Sequence, residues 1–228
     1  MKKAKRFLTG LLSAALALSL CAMPAMAEDV TGETTTTAPL ASAIDKSAKG
    51  TITIHKYEYN GNDDKNGTGV AGDANNVPTD AKDLEGATFT YYQVMTADEL
   101  VEYYNGKSTE KVGINTYVDE NGQILSAYAN KPNGSGKTGK NGIVKFGDGE
   151  TGLPVGLYVI IETETPAKVT TPVEPFLVSL PMANPTNKAE WMYDVYVFPK
   201  NATTYGKVTL EKKGRVGGGT PENLNGVT

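Results

Sequence analysis

Three polar residues stand in the apolar phase of runs that read as strands. In Thr51–Tyr57, TITIHKY, strict alternation puts Ile52, Ile54 and Lys56 on one side and Thr51, Thr53, His55 and Tyr57 on the other. In Leu153–Pro166, LPVGLYVIIETETP, Tyr158 and Ile160 share a side with Glu162. In Trp191–Asn201, WMYDVYVFPKN, Val195 and Val197 share a side with Asn201 if the chain stays extended past Pro199, while Tyr196, Phe198 and Lys200 take the other. A lysine at a strand end can snorkel to water, so Lys56 alone decides nothing. Three such groups on three separate strands are costly to bury singly and far less so together. Away from water, desolvation favours the neutral forms of an amine and a carboxyl. A neutral Lys56 amine is a nucleophile toward the Asn201 carboxamide, and Glu162 as the acid can donate to the amide carbonyl and carry the proton. The product is an amide between Lys56 and Asn201 with release of ammonia; the alternative is a hydrogen-bonded buried cluster with no new bond. The bond would close a loop of 145 residues. Treated like a disulfide in the chain-entropy picture, that closure stabilises by roughly 5 kcal/mol.

The same stretches resemble two motifs of Gram-positive surface proteins. Trp191, Val195, Val197, Phe198, Pro199 and Lys200 resemble the pilin motif of shaft pilins, roughly WxxxVxVYPK, with Phe198 in place of the usual tyrosine. Tyr158, Ile160, Glu162, Thr163 and Pro166 resemble the E box, about YxLxETxAPxGY; Thr165 replaces the alanine, and the final glycine and tyrosine are missing. The chain is thereby similar to the N-terminal domain of a sortase-assembled major pilin, an LPXTG-anchored surface protein. That resemblance implies that Lys200 is the nucleophile by which a sortase joins one subunit to the C-terminal threonine of the next. It also implies the internal bond from Lys56 to Asn201 beside Glu162, a bond that some N-terminal domains of such pilins lack. Taken alone, Lys200 reads as a surface lysine after a proline.

The ends of the chain fit an exported protein. Lys2, Lys3, Lys5 and Arg6 precede an apolar run from Phe7 to Met23, and Ala25, Met26 and Ala27 supply small residues for cleavage after Ala27. The apolar run is short for a membrane anchor. Residues 1–27 are therefore predicted to be a signal peptide. The only cysteine, Cys21, leaves with it, and Leu20 before it does not suit a lipoprotein. Removing the four positive charges of that segment takes the formal charge from −4 to −8. Such an acidic chain carries no basic stripe for nucleic acid. Without cysteine it has no disulfides, so outside the cell it needs a good core or another covalent brace.

Residues 28–50, with Thr34 to Thr37 in a row, are predicted to be a flexible leader. After the first strand, Asn60 to Asp83 is rich in Asn, Asp and Gly and reads as a surface loop. Asn62, Asp64, Asn66, Gly67 and Asp73 fall at offsets like those of an EF-hand, but no helices flank them and no metal is assigned. Leu84 to Val94 returns to strand character after a turn at Gly86. Thr96 to Tyr104 reads as a helix capped by Thr96 and stopped at Gly106. Thr116 to Ala129 suggests a hairpin about Glu120, Asn121 and Gly122. Pro132 to Gly142 reads as a loop, and Gly142 to Phe146 and Phe176 to Leu180 as strands. Pro199 is expected to end the last ladder. Val208 to Lys212 matches Ile52 to Lys56, and Leu224 to Thr228 matches Leu84 to Thr88, which suggests an internal repeat that starts again near the end.

Many short alternating strands, turn clusters and one short helix predict an all-β, Ig-like β-sandwich with a short helical insertion. The resemblance narrows this to the pilin N-terminal type, like the B-type domains of collagen-binding proteins. The sandwich is assigned to residues 51–203 and the start of a second, truncated sandwich to 204–228. The functional expectation is a secreted, cell-wall-associated shaft subunit with no cofactor. Its partners would be identical subunits, other pilins and a pilin-polymerising sortase. The alternative is a cell-wall-anchored adhesin or basal pilin that binds a host protein or carbohydrate. A secreted hydrolase finds no support. His55 is the only histidine and is expected to face outward, no cysteine nucleophile survives processing, and no paired-carboxylate site stands out.

Overall fold

In a computed structural model of the chain, the described residues are 40, 43–61, 65, 67–106, 112–148, 151–187, 189–204, 213–214 and 222–223. The predicted signal peptide, most of the leader, and Asn62, Asp64 and Asn66 of the loop lie outside them. So does the predicted repeat at Val208 to Lys212 and Leu224 to Thr228; of that region, Lys213–Gly214 and Glu222–Asn223 form a short antiparallel pair.

The TITIH alternation forms β1 (Lys49–His55), and the chain resumes after Lys56 as β2 (Tyr57–Glu58) and β3 (Lys82–Asp83). Then come β4 (Thr88–Met95), α1 (Ala97–Tyr104), β5 (Asn133–Lys137) and β6 (Ile143–Phe146). They are followed by β7 (Leu153–Pro154), β8 (Gly156–Glu164), β9 (Val169–Thr171) and β10 (Phe176–Leu180). The last are β11 (Met182–Ala183), β12 (Trp191–Met192), β13 (Asp194–Val197) and β14 (Lys200–Thr203).

One sheet runs β13-β1-β6, with β7 paired to the start of β1; a second runs β10-β8-β4-β5. The main core lies between them. Ile52, Ile54, Phe146 and Val195 from the first pack against Phe89, Tyr158, Ile160, Phe176, Val178 and Leu180 from the second. Period-two patterning of both inner faces makes this a β-sandwich. The other face of the second sheet is apolar too, because YVII in β8 places Val159 and Ile161 opposite Tyr158 and Ile160. A second core forms there from Leu157, Val159, Ile161 and Leu177 under Leu100 of α1 and Ile44.

Several elements differ from the sequence reading. β1 starts at Lys49, and two of the six residues before it, assigned to the leader, reach the second core: Ile44 is buried in it and Ala48 packs against it. The Asp45 N–H donates to Tyr193 Oη at 2.8 Å. The stretch read as a loop after Pro132 holds an edge strand, β5. Its glycines admit neighbours that a side chain would exclude: a Cβ at Gly136 would stand 2.6 Å from Val144 Cγ2, and one at Gly134 2.7 Å from Tyr91 Cε1. The expected hairpin near Gly122 contracts to a single bridge between Val118 and Ile124. The helix forms as expected, with a capping box in which Thr96 and Glu99 satisfy each other's end of the first turn.

Pro199 interrupts a ladder without ending it. β13 runs parallel to β1 in the register Thr51/Asp194, Ile52/Val195, Thr53/Tyr196, Ile54/Val197. β14 runs parallel to β2 with Lys200 opposite Tyr57 and Asn201 opposite Glu58. The two strands break together at Lys56 and Pro199 and resume in the same register. The Pro199 carbonyl keeps the ladder by accepting from the Tyr57 N–H at 3.0 Å. A proline lacks only the donor, so the carbonyl side of the ladder survives. The β14 and β2 pair is flanked by β9 and β3 in a third small sheet.

Candidate functional site

Lys56 sits at the break between β1 and β2, held at both its backbone ends. Its N–H donates to the Gly142 carbonyl at 2.8 Å, and its carbonyl accepts from the Leu84 N–H at 2.9 Å. Gly142 has φ +69°, and a Cβ there would lie 2.5 Å from the Lys56 carbonyl oxygen. Only glycine suits that corner. Asn201 is the second residue of β14, its carbonyl fixed by the Tyr59 N–H at 3.0 Å. Glu162 comes from the opposite sheet, on β8 across from Phe89 of β4.

The three side chains meet at the end of the main core. Lys56 and Asn201 are 0% exposed, and neither the Lys56 nor the Glu162 side chain has any exposed surface. Asn201 Nδ2 donates to both Glu162 oxygens, at 2.8 Å to Oε1 and 3.0 Å to Oε2. Lys56 Nζ donates to Glu162 Oε2 at 3.3 Å and also to Asn201 Oδ1 in a close contact. The Val173 N–H adds a donor to Oε2 at 3.2 Å. The ammonium stands 5.5 Å from the centre of the Phe89 ring. The sequence reading has Glu162 donating to the amide carbonyl. In the structure the carboxylate instead accepts from the amide nitrogen, and the carbonyl oxygen faces the lysine.

Burial pushes the Lys56 amine down from 10.5 to about 8; the Glu162 carboxylate opposes that shift and the Lys200 charge adds to it. A substantial fraction of neutral amine is thus present in mildly alkaline solution. The arrangement is a nucleophile, an amide and a carboxylate in mutual contact with water excluded.

Along β14 exposure alternates, with Asn201 and Thr203 buried and Lys200 and Ala202 partly exposed. Lys200 therefore lies on the outward face in the row of Asp194, Tyr196 and Phe198. The other motif residues serve the framework. Val195 is in the main core with Val197 packed against it. Trp191 packs against the second core, its ring 5.4 Å from that of Tyr104, and its indole N–H donates to the Leu40 carbonyl at 3.1 Å. Of the E-box residues, Tyr158 and Ile160 are buried, Thr163 is exposed and donates to the Thr88 carbonyl at 3.3 Å, and Pro166 accepts the Val169 N–H at 2.9 Å.

The sequence shows no sign of the pairing of Glu58 or of the acidic partner that His55 finds. Glu58, one step beyond Lys56 on the inward side, is buried and pairs with Lys168 Nζ at 2.6 Å. His55 is expected to face outward and does, yet its side chain is only 24% exposed. Its Nε2 lies 2.8 Å from Asp83 Oδ1, and its Nδ1 lies 2.7 Å from Tyr57 Oη. The alternation that placed His55 and Tyr57 on one side was the available signal; Asp83, on another strand, had none.

Residues 47–202 match the family model of the Gram-positive pilin subunit D1, N-terminal domain. The chain belongs to this pilin family. Its subunits form cell-surface pili, and among the described residues no helix is long and apolar enough to cross a membrane. The chain is 36% identical over 193 residues to the fimbrial subunit type 1 of Actinomyces viscosus, covering 83% of this chain and 32% of that protein. It is 30% identical over 190 residues to the fimbrial subunit type 2 of Actinomyces naeslundii, covering 76% and 34%. The full-length major pilin SpaD of Corynebacterium diphtheriae is similar at 25% identity with a TM-score of 0.48, over 71% of this chain and 34% of that one. The chain spans about a third of the length of these relatives.

Proposed function

We propose that the domain is the N-terminal module of a shaft subunit in a covalently polymerised pilus, and that it makes its own internal bond. The observation that carries the internal bond is the closed contact of Lys56, Glu162 and Asn201, none of whose side chains is reachable by solvent. The neutral amine attacks the Asn201 side-chain carbon, and Glu162, which touches both nitrogens, takes a proton from the attacking one and delivers it to the leaving one. The C–N bond to Nδ2 breaks and ammonia departs, so one amide replaces another and no oxidant or cofactor takes part. Glu162 is the promoting acid and base, and the reaction happens once per chain.

Membership of the pilin family and the partly exposed lysine that ends the Val195 to Lys200 motif support the second part. Lys200 is the acceptor amine for a sortase that carries the C-terminal threonine of another subunit. In that reading the domain is a substrate rather than an enzyme, and its partners are identical subunits, other pilins and the polymerising sortase. Two measurements test the proposal. Intact mass reports the internal bond, and a chain of full mass overturns it. Coupling to a sorting-signal peptide by a pilin sortase reports the linkage, and unchanged coupling in Lys200→Ala overturns that.

A further inference from the structure

The outward face beside Lys200 carries a chain of polar groups with no part in the internal bond. Lys200 is the strand partner of Tyr57, and Tyr57 is in turn the partner of Asp83, so the three form one row across β14, β2 and β3. His55 stands two residues before Tyr57 on the same face, where its ring lies 4.2 Å from that of Tyr57 and 6.5 Å from that of Phe198. The hydrogen bonds of this group have a definite polarity. An ionised Asp83 only accepts, so His55 Nε2 carries the hydrogen that meets it at 2.8 Å. Nδ1 is then the acceptor, and the Tyr57 O–H donates to it at 2.7 Å. The phenol oxygen keeps lone pairs for a donor from the side where Lys200 stands.

A lysine side chain is an ammonium at neutral pH and attacks an acyl carbon only after losing a proton. We propose that Tyr57 takes that proton from Lys200 during acyl transfer, with His55 and Asp83 as the positioning residues that receive and balance it. The inference rests on the reading of Lys200 as the acceptor. As the ammonium gives a proton to Tyr57 Oη, Tyr57 passes its own to His55 Nδ1, and the imidazolium is paired with the Asp83 carboxylate. The free amine then attacks the thioacyl carbon of the sortase intermediate and the carbon–sulfur bond breaks. The second amine proton ends on the departing thiolate, and His55 returns its proton to solvent. His55 from β1 and Asp83 from β3 act on Tyr57 directly, and Lys200 of β14 is its strand partner on the same face; Lys56 and Glu58 lie on the inward side.

The test measures kcat/KM for the protein as acceptor of a synthetic sorting-signal peptide carried by a pilin sortase, across pH, in wild type, Tyr57→Phe, His55→Gln and Lys200→Ala. Tyr57→Phe keeps the ring and removes one oxygen, and its rate is expected to fall about a hundredfold at neutral pH. That loss is expected to shrink as alkali frees the amine directly, which a folding defect would not reproduce. His55→Gln removes the ring nitrogen that accepts from the Tyr57 O–H, and its rate at neutral pH is expected to fall with that of Tyr57→Phe. Wild-type rate and pH profile in Tyr57→Phe, with Lys200→Ala inactive, overturn the relay alone. Full coupling in Lys200→Ala overturns the acceptor assignment beneath it.

Discussion

Asn201 and Lys200 are consecutive residues turned to opposite sides of one strand, the first wholly buried against Glu162 and the second partly exposed beside Tyr57. The two proposed linkages are therefore separable by single substitutions. Lys200→Ala is expected to abolish peptide coupling and keep the mass deficit of the internal bond. Asn201→Ala is expected to do the reverse. Loss of both properties in either variant, at unchanged fold by circular dichroism, would contradict this division.

Release of ammonia lowers the intact mass by about 17 Da, the chemical signature of amine attack on a carboxamide. Lys56→Ala, Asn201→Ala and Glu162→Ala are each expected to show full mass. Glu162→Ala also leaves a buried amine without its carboxylate. Its unfolding free energy is expected to drop by about 3–5 kcal/mol beyond the loss of the bond itself, measured by denaturant titration against Lys56→Met/Glu162→Ala.

The depressed lysine gives two pH dependences. Unlinked protein, refolded at low pH from chain kept denatured since its synthesis, is expected to form the bond about tenfold faster per pH unit up to pH 8 and to level off above it, since the neutral amine is the nucleophile. Stability follows the same group. Folded, unlinked chain holds the Lys56 proton up to about 8, whereas the unfolded chain holds it to 10.5. Below 8 both hold it and the cost of burying the charge is fully present. Between the two values the unfolded chain binds more protons, so stability rises with pH, by on the order of 3 kcal/mol in total. Asn201→Ala is expected to show that rise, and the linked wild type, which has no amine left to titrate, is not.

Gly142 lies outside the trio yet holds it. Gly142→Ala forces a methyl group toward the Lys56 carbonyl at a backbone angle that alanine resists. Loss of about 1–3 kcal/mol and slower bond formation are expected, read by thermal melting and by mass against refolding time.

The alternation of TITIHK and of YVIIET made the inward lysine and glutamate legible, and odd numbering from Val195 carried the register across Pro199 to Asn201. That register holds because the break at Pro199 is matched by one at Lys56 on the parallel neighbour, a coincidence no single stretch reveals. β5 was not legible, because its NGSGK sequence has turn composition and becomes a strand only where Tyr91, Val144 and Phe146 need bare backbone beside them. The direction of the Glu162 hydrogen bonds also lay beyond the sequence, since strand parity says which groups meet and nothing of which atoms face each other. Ile44 carries no signal of its own, because an isolated apolar residue in a polar leader shows no period.

Lys200 opens β14 and Thr203 closes it. If a neighbouring subunit is tied to Lys200, tension along the fibre enters at that side chain and leaves through the chain beyond Thr203, crossing one strand of four residues. The rest of the sandwich hangs beside the line of pull. An internal bond at Asn201 then serves as a rivet that keeps the body from peeling off a taut strand, guarding it from heat and proteases while the traction passes by.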